Sequence, residues 1–366
     1  MRSGRMSHPR VVHVTPALFG EGGVFGGAER YSLELARHMA KVVPTALVAF
    51  GDEPRRFTTP EGLRVRVLGP AWRVRGQAFN RFHSGVVRAV AGADVVHCHQ
   101  PRMLASEVCA LLARATGRRA FASDLGAGGW GFSSRLNTDG WFHGHLHISE
   151  YSRQVAGHVG RPGAGVIYGG VNTDLFAPDS SVPREPLVVF VGRLMPHKGV
   201  DVLIDALPGG MDLELIGRPY HERFFADLKR LAAGKRVTFR PDCGDDDIVR
   251  AYRRAACVVL PSLYRDCYGN ESKVPELLGQ TLIEGMACGA PGICTAVASL
   301  PEVVTDGETG FVVPPNDPSA LRARLEFLRD NATAVGELGR AARTRVLNHF
   351  TWGGTVMRCL EAYAAG

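Results

Sequence analysis

Short β-branched runs alternate with amphipathic helical stretches along most of the chain, and this alternation stops once and then restarts. No other feature constrains the fold as strongly. "RVVHVT", "TALVAF", "RVRVL", "DVVHCH", "RRAFAS", "LHIS" and "GVIY" read as strands. Helices lie between them, among them "GAERYSLELARHMA" (27–40), whose apolar face is Leu33, Leu35, Ala36 and Met39, and "RMLASEVCALLARAT" (102–116). Such alternation predicts a parallel sheet covered on both faces, a doubly wound α/β domain. The stretch "NTDLFAPDSSVPREP", from Asn172 to Pro186, is rich in Pro, Ser and charge and has no periodicity, so it reads as an interdomain linker. After it come "LVVFVGRL", "GVDVLIDALP", "DLELIG", "RVTFR" and "CVVLPS" with helices between them, a second domain of the same class. The end is helical, and "TWGGTVMRCLEAYA" is a separate amphipathic piece. The length of 366 residues suits two domains. Open α/β sheets bind ligands at the carboxyl ends of their strands. Two of them joined by one linker are therefore expected to face each other across a cleft.

The composition narrows the partners. No apolar run approaches the ~20 residues that span a bilayer, and the first residues lack a long apolar core, so no secretory signal is expected. Eight cysteines are scattered without a C-x-x-C pair; reduced, mostly buried thiols and a cytoplasmic location follow. Net charge is lopsided. Residues 1–180 carry 21 Lys+Arg against 13 Asp+Glu, whereas residues 181–366 carry 22 against 23. A basic first half suits an anionic acceptor and leaves room for peripheral membrane contact. Its densest arginines lie in "RFTTPEGLRVRVLGPAWRVRGQ". They sit in no recognised nucleic-acid motif, so no nucleic-acid partner is expected.

Three motifs offer chemistry. In "PELLGQTLIEGMACGAP" two carboxylates, Glu276 and Glu284, stand eight apart with Gly279 between them. The glycine places Glu276 in a loop and Glu284 in the first turns of a helix. The free N–H groups about Leu278–Thr281, including those of Gly279, Gln280 and Thr281, attract an anion. Carboxylates beside a bound phosphate should meet sugar and ribose hydroxyls rather than the phosphate itself. In "FVGRLMPHKGVDVLIDAL" a buried strand runs into Arg193 and, five residues on, Lys198, with Gly199 closing the loop. Arg offers a planar fork and Lys a point charge, which together make a diphosphate clamp. Lys is scarce, five against 38 Arg, so its use here stands out. In "GEGGVFGGAERY" a glycine loop follows the first strand, but the spacing is neither a dinucleotide fingerprint nor a Walker A loop. Among the histidines of "HCH" and "HGHLH", His97 and His99 are expected to line the cleft at a strand end. No zinc site is expected, because nothing else in the chain supplies convergent ligands. Trp130, Trp141 and Trp352 are expected to serve mainly in packing.

"GGAERYSLELA", "YGGVNTDLFAP", "VGRLMPHKGVDVLIDA", the Glu276–Glu284 motif with "EGMACGAP", and "LPEVVTDGETGFVVPPND" together resemble the retaining GT-B glycosyltransferases of family 4. The matches keep the family's order and span almost the whole chain. The resemblance implies a GT-B fold of two Rossmann-like domains: an acceptor domain at 1–175, a nucleotide-sugar domain at 186–348, and a helix at 349–366 crossing back to the first. It implies a nucleoside-diphosphate sugar donor, UDP being the favoured nucleotide. The implied acceptor is a glycan, a lipid-linked sugar or a natural product, and no obligatory metal or other cofactor is implied. By the same resemblance Arg193 and Lys198 bind the diphosphate, Glu284 the ribose and Glu276 the donor sugar. Gly26 and Gly27 let the first domain approach the donor, and the strand end "TFRPDC", with Arg240, flanks the base. Where relatives often carry a histidine after the strand in "FASDLGAGGWG", this chain has Ser123 and Asp124, and Asp124 is expected to take over contact with substrate hydroxyls. The stretch 263–275 stands as an insertion that caps the donor sugar or shapes the acceptor site. The alternatives are a non-catalytic nucleotide-sugar-binding protein, or an epimerase or sugar-phosphate synthase on the same fold.

Overall fold

The computed structural model describes residues 9–20, 26–126, 132 and 136–365. Part of the glycine loop (residues 21–25) and Trp130 lie outside the described residues. The chain forms two compact units, Met1–Gly169 with Trp352–Gly366, and Gly170–Thr351.

The first unit is built on an eight-stranded sheet. Its strands are β1 (Val11–Val14), β2 (Thr45–Phe50), β3 (Arg55–Thr58), β4 (Arg64–Leu68), β7 (Val95–His99), β8 (Arg119–Ser123), β9 (Gly144–His147) and β10 (Ala164–Val166); a two-strand ribbon, β5 (Trp72–Arg73) with β6 (Arg81–Phe82), lies apart. The order is β10-β9-β8-β7-β1-β2-β4-β3, parallel except for β3, which runs antiparallel to β4. Every residue of β1 and β7 is buried, which is why they read as unbroken apolar runs with histidines rather than as alternating strands. Val12, Val14, Val48, Phe50, Val96 and Cys98 pack on one face with Val86, Val90, Cys109 and Ala110. Leu47, Ala49, Val65 and Val67 pack on the other with Leu18 and Ala36. All seven expected strands form. Strand β3 was not expected, because its four residues are all exposed and carry no core-facing alternation.

The helix Trp352–Ala365 belongs to this unit. Trp352 meets the edge of Tyr31 at 5.2 Å between ring centres. The Arg358 guanidinium donates to the Ile167 carbonyl at 2.9 Å.

The second unit has six parallel strands, β11 (Glu185–Val191), β12 (Asp212–Ile216), β13 (Val237–Arg240), β14 (Ala255–Leu260), β15 (Gly292–Thr295) and β16 (Gly310–Val313), in the order β13-β12-β11-β14-β15-β16. The strand order reverses between β11 and β14. In the first unit it reverses between β1 and β7. These are the topological switch points, where a doubly wound sheet opens a crevice beyond its strand ends.

The stretch Asn172–Pro186 is not a free linker. Phe176 is buried, Arg343 donates to the carbonyls of Thr173 and Phe176, and Arg253 donates to that of Ala177. Its composition reads as a linker because carbonyls, not apolar side chains, make most of its attachments to the second unit. The units accordingly part at Gly169/Gly170 and Thr351/Trp352 rather than at 175, 186 and 348.

Candidate functional site

Two loops meet at the switch point of the second unit. The first leaves β11 and ends at Gly199, which opens the helix Val200–Ala206. Gly199 has φ +65°, and a Cβ there would sit 2.0 Å from the Pro261 carbonyl oxygen. Only glycine lets this loop lie against the one that leaves β14. The Leu263 N–H then donates to the His197 carbonyl at 2.8 Å and joins the two loops.

This closeness brings Lys198 to Glu276. The Lys198 ammonium donates to Glu276 Oε1, and the Ser262 hydroxyl donates to the same oxygen at 3.1 Å. Ser299 donates to the Glu276 carbonyl at 3.4 Å. The two charged side chains keep 12% and 13% of their surface, so the pair is sheltered yet reachable. Beside it, burial and then the charge of Lys198 push the His197 imidazole down to about 4, which leaves it neutral at pH 7. Arg193 stands exposed on the same loop, its guanidinium 5.9 Å from the centre of the Tyr220 ring.

Glu276 lies in the loop, and the helix Gln280–Ala287 begins after Gly279, whose φ is +81°. The eight-residue spacing is therefore a loop-to-helix turn rather than one helical face. Glu284 is buried in that helix. The Gln280 amide donates to the Gly170 carbonyl at 3.0 Å, and Thr281 is half-buried beside it. Leu282 and Ile283 donate back to the Gly279 carbonyl. The start of a helix leaves its first N–H groups without intrahelical partners, here at Gln280 and Thr281.

Arg240 is placed differently from these. It ends β13, two strands from β11 and so roughly 10 Å away. Its guanidinium is held by Glu214 at 2.8 Å and faces Asp247 at 3.5 Å. The stretch 263–275 is fastened inside the unit. The Tyr268 hydroxyl donates to Asp227 at 2.6 Å, and its ring stacks on His221 at 5.5 Å.

In the first unit Gly26 immediately precedes the helix Gly27–Ala40 and its carbonyl accepts from the Arg30 N–H at 3.1 Å. A Cβ on Gly26 would fall 2.0 Å from Glu29 Oε2, whereas at Gly27 it would meet nothing within 4 Å. Asp124, half-buried past the end of β8, accepts from the Gly126 N–H at 2.9 Å.

His97 and His99 do not line an open site; they are interior residues of the first unit. His97 bonds the Tyr363 hydroxyl at 2.6 Å and the Ser123 hydroxyl at 2.8 Å. His99 Nε2 faces His13 Nδ1 at 2.9 Å. Burial pushes all three imidazoles far down, His13 to about 3. A register of His13 opposite His97, with the rings on one sheet face, stacks them under the last helix.

Among the described residues, two groups bring metal-ligand atom types within 4.8 Å of one another: His13 with His97 and His99, and Asp139 with His145 and His158. In the first, ring nitrogens are already bonded to Tyr363, Ser123 and Met39. In the second, the Arg161 guanidinium lies 3.6 Å from Asp139 Oδ2 and supplies the local positive charge.

Residues 172–345, nearly the whole second unit, match the family model described as glycosyl transferases group 1. The second unit is similar to this family along nearly its whole length, which is a little under half of the chain.

Curated proteins are similar to part of the chain. The D-inositol 3-phosphate glycosyltransferase of Mycobacterium sp. (strain JLS) is 31% identical over 46% of this chain and 40% of its own length. That of Streptomyces avermitilis is 30% identical over 55% and 46%. The chain thus spans less than half the length of the curated relatives it matches. The fold is shared over nearly the entire chain. Sucrose-phosphate synthase from Thermosynechococcus elongatus has a TM-score of 0.73 at 20% identity, covering 97% of this chain and 98% of its own. Anabaena HepE in complex with UDP and glucose has a TM-score of 0.73 at 18% identity, covering 98% and 100%. These likenesses establish the GT-B fold.

Within the second unit, sequence reasoning missed Ser262, Ser299 and His197, which hold or border the Lys198–Glu276 pair. Ser262 was legible as the residue two past the end of β14, a switch-point strand. His13 was missed because its strand reads as apolar; a polar residue inside a fully buried run was the available signal.

Proposed function

We propose that this chain is a retaining glycosyltransferase that moves a sugar from a nucleoside-diphosphate sugar, with UDP as the nucleotide, to a hydroxyl of a sugar-containing, lipid-linked or natural-product acceptor. One observation carries the reading: Lys198 and Glu276, from the loops after β11 and β14, form a sheltered ion pair at the switch point, directly before a helix start. The match of the second unit to the group 1 family model supports it, as does the UDP and glucose held by a protein of the same fold. The names of the relatives make D-inositol 3-phosphate the first acceptor to test.

The parts divide the work by charge. A diphosphate arriving at the loop draws the Lys198 ammonium from Glu276, and Arg193 and the N–H groups at Gln280 and Thr281 add to the attraction. Glu276, released, accepts from hydroxyls of the donor sugar, while Glu284 accepts from the ribose. As the glycosidic bond breaks, negative charge grows on the leaving diphosphate, and fixed cations lower the barrier by meeting it there. Protein cations supply this charge, so the reading calls for no metal. Asp124 of the first unit contacts donor or acceptor hydroxyls, and Gly26 and Gly27 permit a close backbone approach to the donor.

The test is a thermal-shift panel of UDP-, GDP- and ADP-sugars, followed by an assay for free nucleoside diphosphate and a glycosylated acceptor. Lys198→Ala and Glu276→Ala should each lower turnover by ~100-fold or more, as loss of a transition-state charge contact does. Turnover near that of the unaltered protein in both variants would refute the site.

A further inference from the structure

The antiparallel pairing of β3 with β4 sets Arg56 directly opposite Arg66, and Thr58 opposite Arg64. Side chains alternate along a strand, so Arg64 and Arg66 share one face while Val65 and Val67 enter the core on the other. Leu68 continues the arginine face and packs with Val86 and Val90 of the helix Gly85–Val90, which carries Arg88. Ala71 and Phe82 rest on the same cluster, so the ribbon of Trp72 and Phe82 lies on this side too. Like charges facing each other across a strand pair are destabilising. Burial, and then the charges of Arg56 and Arg88, push the Arg66 guanidinium down.

No acid among the described residues relieves this group. Residues 51–90 carry eight arginines and three acids, a net charge of +5. Of those acids, Glu61 is paired with Arg37 and Asp52 with Arg81, and Glu53 is exposed to solvent. Arg56, Arg66 and Arg88 have no ion-pair partner among the described residues. Apolar side chains of this side also stand out to solvent: Trp72, paired with Phe82, is 61% exposed, and Val87, beside Arg88, 44%.

We propose that this face of the first unit docks the protein on an anionic lipid bilayer, with Arg56, Arg66 and Arg88 against headgroup phosphates and Trp72 and Val87 in the interfacial layer. The repulsion stored in the pairing of Arg56 with Arg66 is offset when phosphates lie between them. The apolar neighbours favour a bilayer over other polyanions, because a headgroup layer accepts Trp and aliphatic groups and a phosphodiester backbone does not. The proposal is independent of the sugar-transfer reading.

The test is co-sedimentation of the full chain with vesicles of phosphatidylcholine alone and of phosphatidylcholine with phosphatidylglycerol. The protein should sediment with the anionic vesicles only, and less as salt rises. Each Arg→Gln change among Arg56, Arg66 and Arg88 should weaken binding about five-fold. Binding should shift tryptophan emission to the blue, and Trp72→Phe should abolish the shift. Should the triple variant fail to fold, the exposed pair R56Q/R88Q carries the same test. Equal sedimentation with neutral vesicles overturns the proposal, as does unchanged binding by a folded variant. Equal affinity for duplex DNA with the same arginine dependence also overturns it, showing a general polyanion surface instead.

Discussion

At the scale of single residues, the candidate site depends as much on what is missing from a side chain as on what is present. Gly199 allows two loops to touch, and that contact alone brings Lys198 within reach of Glu276. Gly199→Ala should lower unfolding stability by ~2–4 kcal/mol, since it combines a left-handed backbone with a clash against a carbonyl; denaturant titration measures this. Gly279→Ala places a methyl 2.8 Å from the flexible end of Leu300 at φ +81° and should cost less, ~1–2 kcal/mol. A larger loss at Gly279 than at Gly199 would show that backbone strain outweighs the carbonyl clash. Both glycines were legible as punctuation before a helix. What the sequence could not show is which atom each glycine makes room for, because Pro261 and Leu300 are distant along the chain and close only through the sheet order.

Among the elements, the last helix is the clearest case of a segment whose role comes from tertiary contact. Its amphipathic pattern identified a helix, but the partners of Tyr363, on β7 through His97 and on β8 through Phe121, depend on topology. Removing residues 352–366 should uncover His97 and Tyr31 and unfold the first unit, read as loss of its share of the thermal transition. The buried histidines on both faces of its sheet give the first unit a pH response. Burial lowers His13 to about 3, and His145 and His147 to about 4. An unfolded histidine titrates near 6.5, so the unfolded state binds more protons below that pH. Stability is therefore full above about pH 6.5 and falls as pH drops towards 4, by up to ~1.4 kcal/mol per pH unit for each such histidine. A urea midpoint unchanged between pH 7 and pH 4.5 would contradict this. Strand identity was the most readable level: buried parallel strands announce themselves as apolar runs. The exposed β3 did not, since an edge strand held by one neighbour needs no apolar pattern.

For the whole molecule, the division at Gly169/Gly170 and Thr351/Trp352 makes the second unit continuous in sequence and the first discontinuous. The second unit also carries Arg193, Lys198, Glu276 and Glu284 together. A fragment of residues 170–351 should fold alone and, on the proposed reading, show a thermal shift with UDP that Lys198→Ala abolishes. A fragment of residues 1–169 should not fold without the last helix. The site's ordering was readable because its motifs lie on two loops of one unit; the buried fate of His97 and His99 was not, because it rests on a helix more than 250 residues away. That interleaving has a consequence for synthesis. The ribosome finishes the half with the ion pair while the earlier-made half still waits for its closing segment, so a nascent chain stalled short of residue 352 would display one finished lobe and one unsealed one, the inverse of the order in which they were translated.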